Sequence, residues 1–134
     1  MAETLELEVA TPERELVREQ VSEVQLPGRS GYLGVLPGHA PLLGLLGVGT
    51  LSYVCGASTR YLSVHAGFVE ILENHVRVLA DIAERAEEID IERARRALER
   101  SQQESINPAL GVDPAEAMAA VIRAEARLAT AQKK

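Results

Sequence analysis

The sequence predicts a β-domain followed by a pair of helices: an N-terminal flattened sandwich or barrel over residues 1–86, then a C-terminal antiparallel αα-hairpin over residues 87–134. Three observations carry this. Short apolar runs alternate with polar residues through the first 84 positions and are punctuated by Gly, Pro and Asn, the grammar of half-buried strands and tight turns. At Ala83 the grammar changes, and apolar or small residues recur at three- and four-residue steps. Between the two lies a charged bridge, Glu84-Arg85-Ala86-Glu87-Glu88.

The first strand is read from Leu5, Leu7 and Val9 alternating with Glu6 and Glu8, closed by Thr11-Pro12. A second follows at residues 21–26 and is broken by Pro27-Gly28. Residues 51–55 and 61–66 flank Gly56-Ala57-Ser58 as one hairpin; residues 68–72 and 76–80 flank Glu73-Asn74-His75 as another. Between these strands, Gly28 to Gly49 holds seven of the ten glycines and reads as a structural turn or protein-docking loop. It lacks Gly-Lys-Ser/Thr and a following helix pattern, which argues against a phosphate loop.

Asp90 reads as the cap of a first helix, whose stripe is Ile91, Ala94, Leu98, Ser101 and Ser105 and which Asn107-Pro108 stops. Asp113, Pro114 and Glu116 open a second helix that runs to about Ala131, with Met118, Val121, Ile122, Leu128 and Ala129 near one face. Ala120, Ala124 and Ala131 line another side, either as helix formers or as a surface for close packing. The few large apolar side chains would contribute about 1.5–3 kcal/mol each if fully buried, against roughly 1–2 kcal/mol of backbone entropy per ordered residue. Such a hairpin needs support from the β-domain, a ligand or a partner, and so suits a switch.

Composition narrows the function. Aromatics are only 3%, so the core must be built from aliphatic residues. Formal net charge is −6, with no basic excess of the kind nucleic-acid binding needs. The N-terminus lacks a signal-peptide pattern and no run of about 20 apolar residues is present. The lone Cys55, set in an apolar stretch, reads as a buried structural residue of a reducing compartment.

No catalytic constellation or metal-ligand spacing emerges. His39, His65 and His75 fall in a loop, a strand and a turn; a Cys55/His65 pair across a hairpin would be the sole nucleophile arrangement. The arginines are more informative. Arg93, Arg96 and Arg100 recur along the first helix, and Arg123 and Arg127 stand one turn apart on the second. They fit two readings: guanidiniums converging on a polyphosphate, or a solvated face paired with Glu92, Glu99 and Glu125.

The run Gly31-Tyr32-Leu33-Gly34-Val35-Leu36-Pro37-Gly38-His39-Ala40-Pro41-Leu42-Leu43 resembles the hallmark loop of the epsilon subunit of F-type ATP synthases. Residues 62–70 and 76–85 are similar to the family's later strands and their exit. The resemblance implies a non-catalytic central-stalk subunit that binds the gamma subunit and the ring of c subunits. It also implies a hairpin that reaches the alpha/beta catalytic head and inhibits ATP hydrolysis. It implies a peripheral position on the cytoplasmic face of the bacterial inner membrane, with the membrane met only through the c-ring. Gly31, Tyr32, His39 and Leu43 match positions at the gamma and c-ring interface. No cofactor is required. ATP is implied as a regulatory ligand, because Ile89-Asp90-Ile91-Glu92-Arg93-Ala94 matches the Ile/Leu-Asp-x-x-Arg-Ala motif of ATP-binding members. Glu84, Arg100, Arg123 and Arg127 stand at family-like offsets from it, so the implied nucleotide set is Glu84, Ile89, Asp90, Arg93, Ala94, Arg100, Arg123 and Arg127.

Overall fold

The computed structural model describes residues 3–133. Eight strands come first: β1 (Leu5–Ala10), β2 (Glu15–Val21), β3 (Glu23–Gly28), β4 (Gly31–Val35), β5 (Leu42–Leu45), β6 (Val48–Cys55), β7 (Ser58–Leu72) and β8 (His75–Arg85). A 3₁₀ turn at Ala86–Glu88 leads to α1 (Ile91–Ile106), and a second at Pro108–Leu110 leads to α2 (Pro114–Ala131). The hydrogen-bonded order is β2-β1-β8-β7-β6-β3-β4, with β5 also on β7. All pairs are antiparallel except β1 with β8. The strands fold into a sandwich around an aliphatic core that includes Leu5, Leu7, Val24, Leu26, Leu51, Leu62 and Ile71, each at most 1% exposed.

Two features escaped the periodicity reading. The strand β2 was not anticipated, because Leu16 and Val17 are both buried and break the alternation; a register shift between Val9 and Ala10 lets consecutive residues turn inward. The glycine-rich segment is also not a plain loop, since β4 and β5 both lie within it.

The strand β7 organises the whole. Its first part, Ser58–His65, pairs with β6, and Phe68–Ile71 pairs with β5. Between them Ala66 (φ 59°) and Gly67 (φ 118°) bend the chain. The bend is pinned by Ala66 N–H donating to Gly47 O at 2.9 Å and Leu46 N–H donating to Gly67 O at 3.0 Å. It also shifts side-chain parity: Leu62 and Val64 face the core before it, Val69 and Ile71 after it. Ser63 and His65 are thereby directed to the opposite face, where they are buried by something other than the core.

The hairpin provides that cover. The helix α2 packs on β6 and β7, and α1 packs on α2. Asp90 caps α1 by accepting Arg93 N–H at 3.0 Å, and Asp113 caps α2 by accepting Ala115 N–H at 3.0 Å. The expected apolar face of α2 is corrected here. Met118 and Ile122 are about half exposed, and the packed side is Ala117, Val121, Ala124, Thr130 and Ala131. Small side chains let α2 approach both the sheet and α1 closely, and among these only Val121 is a large aliphatic.

Candidate functional site: an arginine-lined cleft between two helices

The close approach of α1 and α2 leaves a cleft of about 310 Å³ between them. Its walls are small: Ala94, Ala97 and Ser101 from α1, Ala120 and Ala124 from α2. Around them stand Arg93, Arg100, Arg123 and Arg127, with Asp90 at the α1 cap. Among the described residues, no carboxylate lies within ion-pair distance of Arg93, Arg100 or Arg123. The alternative of a face neutralised by Glu92, Glu99 and Glu125 is therefore not adopted. Glu92 pairs instead with Arg95, and among the described residues Glu99 and Glu125 pair with no base. Arg96 does not line the cleft.

Arg127 is held differently. Its Nε donates to Glu84 Oε1 at 2.7 Å, tying α2 to the end of β8. Ile89, 6% exposed, sits in the linker outside the cleft walls, where its N–H donates to Ala86 O. Three residues of the set implied by the resemblance thus lie around the site (Asp90 as cap, Ile89 in the linker, Glu84 on the sheet), while four arginines and Ala94 line it.

Two supports lay beyond sequence reasoning. The linker is clamped by Arg14, which makes two hydrogen bonds of 2.9 Å to the Glu88 carboxylate. Glu88 also accepts Arg85 N–H at 2.9 Å, and Arg85 Nη2 donates to Leu16 O at 2.7 Å. Arg14 above all, with the Arg85 backbone, holds the Glu88 carboxyl at about 2 despite its partial burial. The second support is a polar bed under α2. Thr50 Oγ1 on β6 lies 2.7 Å from Thr130 Oγ1 on α2, beside Ser63, His65 and the Glu84–Arg127 pair.

The residues matched to the gamma and c-ring interface are spread over three places. Gly31 and Tyr32 are on the edge strand β4, His39 is in the following loop, and Leu43 is on β5. Tyr32 is 66% exposed, yet its hydroxyl accepts Thr50 N–H at 3.0 Å, bridging to β6. Gly49 makes room for that crossing, since a Cβ there would lie 2.4 Å from the Tyr32 hydroxyl. The His39 Nδ1 lies 2.6 Å from Ala40 O, and Gly38 N–H donates to Asn74 Oδ1 at 2.7 Å, which fixes the loop to the β7–β8 turn. Leu43, 75% exposed, belongs to an apolar patch: Leu45, Phe68 and Leu79 stand in register across β5, β7 and β8, each about half exposed. Phe68, Leu45 and Leu79 were not singled out as interface residues, because outward and inward apolar residues read alike in sequence.

The nucleophile pair fails on geometry. Cys55 pairs with Ser58 and His65 with Val48, at opposite ends of the β6–β7 hairpin. Cys55 is half-buried rather than buried, donates weakly to Gln20 O, and burial pushes its thiol up. His75 opens β8 rather than lying in the turn. Among the described residues, no cluster of His, Cys, Asp and Glu could hold a metal ion, and no helix is long and apolar enough to cross a membrane.

Comparison with known proteins bears on the whole chain. The family model described as ATP synthase, Delta/Epsilon chain, beta-sandwich domain matches residues 4–86. The chain is 77% identical, over the full length of both, to the ATP synthase epsilon chain of Solibacter usitatus. It is 45% identical to that of Nitratidesulfovibrio vulgaris over 128 residues, 96% of each chain. Its fold is similar, with a TM-score of 0.84 and 25% identity, to a chain in the Euglena gracilis mitochondrial ATP synthase solved as OSCP, F1 and c-ring; the match covers 95% of this chain and 81% of that one.

Proposed function

The chain belongs to the Delta/Epsilon chain family of ATP synthase, and from that premise we propose that it is a non-catalytic stalk subunit whose hairpin restrains ATP hydrolysis and senses ATP. Its sandwich links gamma to the c-ring, and the hairpin, once extended, reaches the alpha/beta head. It works on the cytoplasmic face of a bacterial inner membrane and meets the bilayer only through the ring. The exposed apolar row of Leu43, Leu45, Phe68 and Leu79 supports the docking role, since a contiguous apolar patch of this kind suits a protein interface. Phe68→Asp should release the subunit from gamma in native co-purification; undiminished binding would move the interface elsewhere.

The observation that carries the sensing role is the cleft itself: three guanidiniums, without carboxylate partners among the described residues, line one space between the helices together with Arg127. Like charges gathered this way repel, and a polyphosphate offsets that repulsion with charge-assisted hydrogen bonds. Because the cleft requires both helices folded against each other, ATP would bind the compact hairpin and draw it from the extended, inhibitory form. Titration calorimetry of the full chain with ATP tests this. One-to-one binding that Arg93→Ala weakens by roughly tenfold or more is expected, in line with about 1.5–3 kcal/mol for a charged hydrogen bond. No heat up to millimolar ATP would remove the sensor and leave a docking subunit.

A further inference from the structure

The face of the sheet beneath α2 carries a histidine for which the nucleotide site has no use. His65 on β7 is 3% exposed. Its Nε2 lies 2.8 Å from Ser63 Oγ, while Nδ1 is buried without a hydrogen-bond partner among the described residues. The parity shift at Ala66–Gly67 is what directs this ring away from the core and under the helix.

Its charged surroundings are one-sided. From α2, Arg127 and Arg123 act on the ring. From β8, the residue opposite His65 is Ile82, and Glu84, opposite Ser63, is engaged by Arg127 at 2.7 Å. From β6, Val48 stands opposite His65 and Thr50 opposite Ser63, neither of them ionisable. Among the described residues, no carboxylate lies within ion-pair distance of the imidazole. A neutral ring fits this pocket; an imidazolium would add a third cation beside two guanidiniums, buried and without a counter-charge.

We propose that His65 makes docking of the hairpin proton-sensitive: neutral, it lies beneath α2, and protonated, it drives the helix off the sheet. Burial chiefly, then Arg127 and Arg123, lower the docked imidazole to about 4 from an ordinary 6.5. With α2 removed the ring returns to water and to its ordinary value, so the released form takes up the proton first. Docking is therefore at full strength above about 6.5 and weakens as pH falls toward 4, by a factor on the order of a hundred.

Two measurements on the full chain, without nucleotide, test this. Nitrogen NMR of the imidazoles should show His65 neutral at pH 6, where an exposed histidine is already mostly protonated. A fluorophore pair at Glu13→Cys and Gln102→Cys, in a Cys55→Ser background, should report separation of α1 from the sandwich between pH 6.5 and 4. In His65→Gln, with sheet content checked by circular dichroism, that separation should vanish, whereas Thr50→Val should loosen docking at every pH and keep the pH response. Ordinary titration of His65 near 6.5, or an unchanged pH response in His65→Gln, would overturn the proposal. The NMR result stands on the unmutated chain, and neither measurement depends on ATP.

Discussion

Gly67 lies at the bend of β7, where the strand passes from pairing with β6 to pairing with β5. A Cβ there would lie 2.0 Å from Leu79 O, at a backbone φ of 118° that side chains disfavour. Gly67→Ala is expected to cost about 3 kcal/mol or more, seen as a lowered urea midpoint of the sheet transition. The arginines of the cleft separate by role in the same way. Among the described residues Arg93 has no carboxylate partner, so Arg93→Ala should not loosen hairpin docking without ligand. Arg127 binds Glu84 across the helix–sheet interface, so Arg127→Ala should loosen α2 even without ATP. Label distances in nucleotide-free protein distinguish the two. Helical spacing made the arginines legible but included Arg96, which lies outside the cleft, and the choice among them came from the motif resemblance at Ile89–Ala94. His65 was not legible, because its exposure depends on a half-step of parity at Ala66–Gly67 that alternation alone does not reveal.

Among the elements, the linker between β8 and α1 is tied to the sandwich by side chains. Arg14, from the β1–β2 turn, reaches Glu88 across most of the sandwich sequence. The depressed carboxyl of Glu88 means this clamp is intact above an ordinary 4.5 and is lost as pH falls from there toward 2. Arg14→Ala should flatten the fall of thermal midpoint over that interval and lower the midpoint at neutral pH, by about 1 kcal/mol of stability for an exposed pair of good geometry. A pivot for the hairpin then belongs after Glu88, at Ile89-Asp90, with the 3₁₀ turn staying on the sandwich. Strands with clean alternation, such as β1, and helices with Asp caps were readable from the sequence. The strand β2 was not, since a bulge turns Leu16 and Val17 inward together, and long-range partners such as Arg14 and Glu88 leave no local pattern. The packed side of α2 was misread for a related reason. Large apolar residues usually mark the buried face, but here close approach favours alanine and leaves Met118 and Ile122 outside.

At the scale of the molecule, the aliphatic core cluster draws, among the described residues, on positions 5–83 and on none of the hairpin. A chain ending after Glu88 should therefore keep a cooperative sheet transition, monitored by circular dichroism, with the same midpoint within a few degrees. Loss of folding in that truncation would mean the hairpin completes the sandwich rather than rests on it. The bed on which it rests carries polar groups at its centre, Thr50, Ser63, His65 and Glu84, with Val48 and Ile82 flanking the imidazole. Were α2 to lift away, much of the surface uncovered would be polar enough for water to wet. On the proposed two-state reading, an open form would carry less of the apolar scar that a conventional core-packed helix leaves behind, and so would invite less aggregation.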